Sequence, residues 1–103
     1  MKANTASNRN YNEVNHYFGI SNELELGSKE WYQAIKKAGY KFAYRWINSD
    51  TGWMFFATNE ARAREGASEL YASEKNTDIK TARQYYAEYV DVYSLDYIIN
   101  NWF

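Results

Sequence analysis

YKFAYRWINSDTGWMFFAT, residues 40–58, is the segment from which the fold of this chain can be predicted. Its first part alternates aromatic residues with other side chains, and its last part is a run of apolar residues. Between them, residues 48–52 contain the Asn, Asp and Gly that favour turns. Period-two alternation around such a segment is typical of a β-hairpin. The pattern therefore predicts two paired strands, at residues 40–47 and 53–58.

Capping residues and helical spacing predict two helices before the hairpin. Ser28 is a favourable N-cap for a helix over 28–38, and Gly39 is suited to end it. A shorter helix is expected after Asn10, which can also act as a cap. Residues 1–9 are rich in small and polar side chains, so we expect a loose tail there.

Two further helices are predicted after the hairpin. The first covers residues 59–73, with Thr58 as its cap. Gly66 lies inside it and costs a helix ~1 kcal/mol relative to alanine, so we expect it to let the helix approach the bulky hairpin aromatics. The second covers residues 95–102 and begins after Ser94, with apolar residues at helical spacing.

Residues 78–93 fit both a helix and a strand. Apolar and aromatic residues recur there at intervals of three and four, but the second half is dense in Tyr and Val, which favour strands. A strand over 86–93 that runs into the capped last helix is the simpler connection. The expected fold is α+β, a small antiparallel-type sheet made of the hairpin 40–58 and this strand, with helices packed on one face. Residues 10–103 would form its single domain.

Composition restricts the class of protein. The chain has 103 residues, of which 46% are hydrophobic, enough for one modest core. Trp, Tyr and Phe make up 19%, more than such a core can bury, so some aromatic side chains are expected at the surface. There is no cysteine, the first nine residues lack the apolar stretch of a signal peptide, and no apolar run approaches ~20 residues. We expect a cytoplasmic protein that does not bind membranes.

The residues needed for familiar kinds of catalysis do not occur together. His16 is the only histidine, and without cysteine it cannot supply the three or four ligands of a zinc site. The glycines are too scattered for a phosphate-binding loop. Glu65 and Glu69 lie one turn apart on a predicted helix, which is usually a solvated face. We therefore predict a protein that is not an enzyme and has no metal or cofactor.

Charge and aromatic residues instead favour binding. Residues 36–64 carry six basic and two acidic side chains, whereas residues from 65 onward carry three basic and seven acidic ones. Tyr and Trp are frequent at the centres of protein interfaces, so the first hypothesis is a protein-binding site. Its candidate residues surround the hairpin: Tyr44, Arg45, Trp46, Trp53 and Arg62.

The alternative is a nucleic-acid-binding protein, because cations interleaved with aromatic residues on a strand can contact phosphates and stack bases. The basic residues that would do so are Lys36, Lys37, Lys41, Arg45, Arg62 and Arg64. The segment KFAYRW resembles part of an RNA-recognition signature, but it lacks the first glycine of that signature.

A short chain without cysteine or catalytic motifs, and rich in Tyr and Asn, resembles the accessory proteins of phages and mobile elements. Those proteins include inhibitors of bacterial defence systems, such as anti-CRISPR proteins. The resemblance covers the composition of the whole chain and involves no motif, so no functional residue is transferred. It implies an inhibitor that binds a host defence or nucleic-acid-processing complex in the host cytoplasm.

Overall fold

The structure is a computed structural model that describes residues 19–21, 23–49 and 53–103. The predicted tail, the predicted helix after Asn10 and His16 lie outside these residues. The described helices and strands follow one another along the chain in this order: α1 (Lys29–Lys37), β1 (Phe42–Trp46), β2 (Phe55–Ala57), α2 (Glu60–Lys75), α3 (Ile79–Tyr85), a 3-10 turn (Tyr86–Glu88), β3 (Val90–Ser94) and α4 (Leu95–Asn101).

The three strands form one antiparallel sheet in the order β2-β1-β3. Ala43 of β1 is opposite Phe56 of β2 on one side and Tyr93 of β3 on the other. The predicted hairpin and the α+β class are therefore confirmed. β1 is the central strand, and its aromatic-rich sequence is paired along both edges.

Helices cover both faces of the sheet rather than one. On the first face, Ala67 of α2 packs with Val90 of β3 and with the half-buried rings of Tyr44 and Trp46. Ala43 of β1 lies on the second face and is 0% exposed. The core of the second face joins strand residues to α1 and α4, and its fully buried members include Trp31, Ile35, Met54, Leu95 and Ile98. The second face needs this cover because two of its strand residues, Ala43 and Phe56, are apolar.

Helix caps explain where the helices begin. Ser28 Oγ accepts a hydrogen bond from the Trp31 N–H, and Ser94 Oγ accepts one from the Tyr97 N–H, so both predicted serine caps are confirmed. The cap of α2 is Asn59 and not Thr58. The Asn59 side chain accepts from the backbone N–H three residues later at 2.9 Å, and Asn is the stronger capping residue.

Residues 78–93 contain both of the structures that their sequence favours. Asp78 caps α3 by accepting from the Thr81 N–H, and helical backbone continues into the 3-10 turn. The predicted strand over 86–93 therefore began too early, because Tyr86 belongs to the turn and is buried against α2. The strand begins at Val90. The residue before it, Tyr89, accepts a hydrogen bond at its carbonyl from the Ile47 N–H.

Gly66 has the packing role that the sequence predicted. A Cβ atom at this position would lie 2.5 Å from Cζ of Tyr44, far inside van der Waals contact. The missing side chain lets α2 lie directly on the ring of Tyr44, which is itself stacked on Phe55 at a centroid distance of 5.5 Å. Because α2 lies this close to β1, its neighbouring side chains are held next to the strands.

Candidate protein-interaction surface

The predicted protein-binding residues do not form one continuous surface. Successive residues of β1 point to opposite faces, so Tyr44 and Trp46 lie on the face covered by α2, whereas Arg45 lies on the other. Trp53 is half-buried just before β2, and Arg62 is exposed on α2. The structure thus divides the five residues among different regions of the protein.

Tyr44 and Arg62 meet at a groove of about 320 Å³ between β2 and α2. Glu65 and Glu69 also line this groove. Arg83 donates two hydrogen bonds to the Glu65 carboxylate, at 2.9 and 2.7 Å, and these bonds lower the pKa of Glu65. A general acid needs a raised carboxyl pKa, so the Glu65 carboxylate is suited to an ion pair rather than to proton donation.

Arg45 is integrated into the second face of the sheet. Its guanidinium carbon lies 5.0 Å from the ring centroid of Trp102 and 5.9 Å from that of Tyr93, and Nη1 donates to the Ser49 carbonyl at 2.9 Å. Burial raises the pKa of Tyr93, and the hydrogen bond between its hydroxyl and Asp91 raises it further. These contacts connect β1, β3 and the residues after α4, which gives Arg45 a structural role.

Trp46 belongs to a row of three aromatic rings that the sequence did not predict. Its ring centroid is 6.3 Å from that of Tyr71 on α2, and Tyr71 is 5.7 Å from Tyr89, each pair with an angle of 33° between the rings. We call Trp46, Tyr71 and Tyr89 the aromatic row. Lys75 Nζ lies 5.0 Å from the Tyr89 ring centroid and adds a cation at its end.

The aromatic row reaches the protein surface. Tyr89 is 43% exposed, and Ile47 beside it is 41% exposed. The hydrogen bond between Ile47 N–H and the Tyr89 carbonyl, at 2.8 Å, holds these two residues together. The surplus of Tyr in the composition indicated such a surface. Trp46 was among the predicted binding residues, but Tyr71 and Tyr89 could not be identified, because they come from other elements.

The basic residues proposed for nucleic-acid binding are dispersed. Lys36 forms an ion pair with Asp96 on the second face of the sheet. Arg64 lies on α2 at the first face, where Nη2 is 2.6 Å from the Glu60 carboxylate. Arg45 is covered by aromatic rings, the exposed Lys37 is the last residue of α1, and the exposed Lys41 directly precedes β1. The described structure does not gather these cations into one patch.

The described residues contain neither a cluster of metal ligands nor a membrane-spanning helix. Within residues 19–21, 23–49 and 53–103, no three His, Asp or Glu side chains lie close enough to hold a metal ion. None of the helices in these ranges is both long and apolar enough to cross a membrane. Comparison with protein-family models, with curated proteins and with solved structures finds no match for this chain.

Proposed function

We propose that this chain is a non-enzymatic protein-binding module and that the aromatic row is the centre of its binding surface. The observation that carries the proposal is the run of Trp46, Tyr71 and Tyr89 that ends in exposed side chains beside Ile47. Large rings that are held in place lose little conformational freedom on binding, and Trp and Tyr dominate interface hot spots. Lys75 adds a charged group at the edge of the apolar centre, as is usual in interfaces.

The partner class that we propose is a host defence or nucleic-acid-processing complex, and the chain would act as its inhibitor. This part of the proposal is supported by the compositional resemblance to phage and mobile-element accessory proteins. Direct binding of nucleic acid is less well supported, because three of its six candidate cations are already engaged: Lys36 and Arg64 in ion pairs and Arg45 with aromatic rings.

The test is capture of partners from a host extract by the immobilised protein and two alanine variants. Tyr89→Ala removes the exposed end of the aromatic row. Phe103→Ala is the matched control, because Phe103 is also aromatic, is 58% exposed and packs near Tyr32 on the second face. We expect one stoichiometric protein that is retained by Phe103→Ala and lost by Tyr89→Ala, with both variants folded.

Two results would contradict the proposal. Equal retention of the partner by both variants would show that the aromatic row is not the binding surface. Capture that disappears after nuclease treatment, and that weakens steeply with salt, would instead support the nucleic-acid alternative. For a single strand, the logarithm of the affinity then falls by ~0.7 per phosphate contact for each tenfold rise in salt.

A further inference from the structure

Among the described residues, β3 is an outer strand of the sheet, and its backbone is paired with β1 along one side only. The Ile47 N–H donates to the Tyr89 carbonyl, and the Leu95 N–H donates to the Lys41 carbonyl. Hydrogen-bonded pairs alternate along an antiparallel ladder. The backbone groups of Asp91 and Tyr93 therefore face β1, and those of Val90 and Val92 face away from it.

The outward backbone groups of β3 are available for another strand. In the part of the chain that the structure describes, the N–H and C=O groups of Val90 and Val92 have no hydrogen-bond partner on their outer side. A row of such groups is a ready template for pairing with an extended chain. The edge begins directly after Tyr89, so it is continuous with the aromatic row.

The segment that contains this edge is acidic, and the cations beside it, Lys75 at Tyr89 and Arg45 opposite Asp91, come from other elements. Residues 86–96 contain three carboxylates and no basic side chain. Asp96 is paired with Lys36, but Glu88 is exposed and has no ion pair among the described residues. Asp91 accepts a hydrogen bond from the Tyr93 hydroxyl at 2.8 Å, and its ladder partner Arg45 is directed toward Trp102 instead of forming an ion pair with it. A basic segment would complement these carboxylates.

A second copy of this chain fits the edge poorly. Antiparallel pairing of two β3 strands about Asp91 would place two identical carboxylates directly opposite each other. Like charges that face each other across a ladder destabilise it, so the charge pattern favours a different and basic strand.

We propose that the outer edge of β3 binds an extended, lysine- or arginine-containing segment of a partner protein as a fourth strand of the sheet. Its backbone would bond to Val90 and Val92, and one of its cationic side chains would lie beside Asp91. This inference rests on the proposed function, since it assumes that the partner is a protein. It adds the mode of binding and the charge of the segment that is bound.

The first test uses a labelled seven-residue peptide of alternating valine and lysine, with a valine–glutamate peptide as the control ligand. Fluorescence anisotropy at low salt would measure the binding of both peptides. We expect the lysine peptide to bind and the glutamate peptide not to bind. Asp91→Asn, which keeps the shape of the side chain and removes its charge, should weaken binding of the lysine peptide severalfold.

Val92→Pro tests the backbone contact itself. Because the Val92 N–H faces outward, proline removes a donor that the sheet does not use, and proline is tolerated at such edge positions. Val92→Ala is the matched control, since it removes the same side chain from the α2 face and keeps the N–H. We expect Val92→Pro to bind the lysine peptide about tenfold more weakly than Val92→Ala, from the lost hydrogen bond and the added ring.

A measurement on the unaltered protein does not depend on whether the proline variant folds. Amide hydrogen exchange followed by NMR should show that the lysine peptide slows the exchange of the Val90 and Val92 N–H groups. Unchanged exchange, equal binding of both peptides, or equal affinity of folded Val92→Pro and Val92→Ala would overturn the inference. Sedimentation that shows a dimer of the free protein, abolished by Val92→Pro, would identify a second copy as the occupant.

The two proposals can fail separately. A captured protein that is lost by Tyr89→Ala but retained by Val92→Pro would leave the proposed function standing and would remove the β3 edge from it. The opposite result is also possible: the lysine peptide slows amide exchange at Val90 and Val92, but no captured protein depends on Tyr89. The edge would then bind strands, and the aromatic row would have no role in capture.

Discussion

Gly66→Ala is expected to destabilise this protein, although the same change stabilises an ordinary helix. Alanine in place of glycine stabilises a helix interior by ~1 kcal/mol. Here the new Cβ would lie 2.5 Å from Cζ and from Oη of Tyr44. An ordinary contact needs about 1 Å more, and stacking against Phe55 restricts the retreat of the ring. Overpacking of this kind costs roughly 1–3 kcal/mol.

The net effect is a loss of about 0–2 kcal/mol in the free energy of unfolding, from the helix gain and the overpacking cost. At ~4–8 °C per kcal/mol for a chain near this length, Tm should fall by several degrees. Urea denaturation followed by tryptophan fluorescence would measure the free energy of unfolding, and calorimetry would measure Tm.

A second background isolates the contact between Gly66 and Tyr44. Tyr44→Val removes the ring and keeps a residue that suits a strand. In that background Gly66→Ala should stabilise the protein by ~1 kcal/mol, because only the helix propensity remains. If Gly66→Ala stabilises the unaltered protein by the same amount as the Tyr44→Val variant, α2 does not lie directly on Tyr44 and the reasoning is refuted.

Four further substitutions test a helix cap, an ion pair and a buried tyrosine. Asn59→Ala should lower the free energy of unfolding by ~1 kcal/mol and Thr58→Ala by much less, since only Asn59 accepts the capping hydrogen bond; equal losses in urea denaturation would contradict this. Hydrogen bonds from Arg83 lower the pKa of Glu65, so the ion pair contributes stability above the ordinary Glu pKa of about 4.5 and loses it as the pH falls further. The urea midpoint of the Glu65→Gln variant should therefore fall less between pH 7 and pH 3 than that of the unaltered protein. An equal fall in both proteins would argue against a stabilising ion pair. Burial raises the pKa of Tyr93, so its neutral form contributes stability that is present below pH 10 and is lost as the pH rises above it; Tyr93→Phe should not show this loss in alkaline denaturation curves.

The parts of the fold that could be predicted from the sequence are those set by neighbouring residues. The hairpin, the Ser28 and Ser94 caps and the role of Gly66 follow from alternation, capping and the lack of a side chain, and the structure contains all of them. The start of β3 could not be predicted. Residues 86–93 are dense in Tyr and Val, which suit a strand, but the helix capped by Asp78 continues through 86–88 as a 3-10 turn.

The candidate site was less predictable than the fold, because it depends on contacts between distant segments. Alternation along β1 already implies that Arg45 and Trp46 point to opposite faces. What it cannot give is the position of Tyr71 and Tyr89, which reach Trp46 only after β3 has paired with β1 and α2 has packed on the sheet. Tertiary pairing therefore decides which of the eleven tyrosines form a surface.

The strand order β2-β1-β3 has a consequence for how the chain acquires its structure during synthesis. β1 and β2 are close in sequence and can pair early, whereas the partners of β1 in β3 lie about fifty positions further along the chain. Pairing over such a distance costs loop-closure entropy and slows folding. Until residues 90–94 have left the ribosome, the central strand has one unpaired edge and the aromatic residues beside it lack part of their cover. A nascent or shortened chain that ends before Val90 is thus the form of this protein most exposed to aggregation.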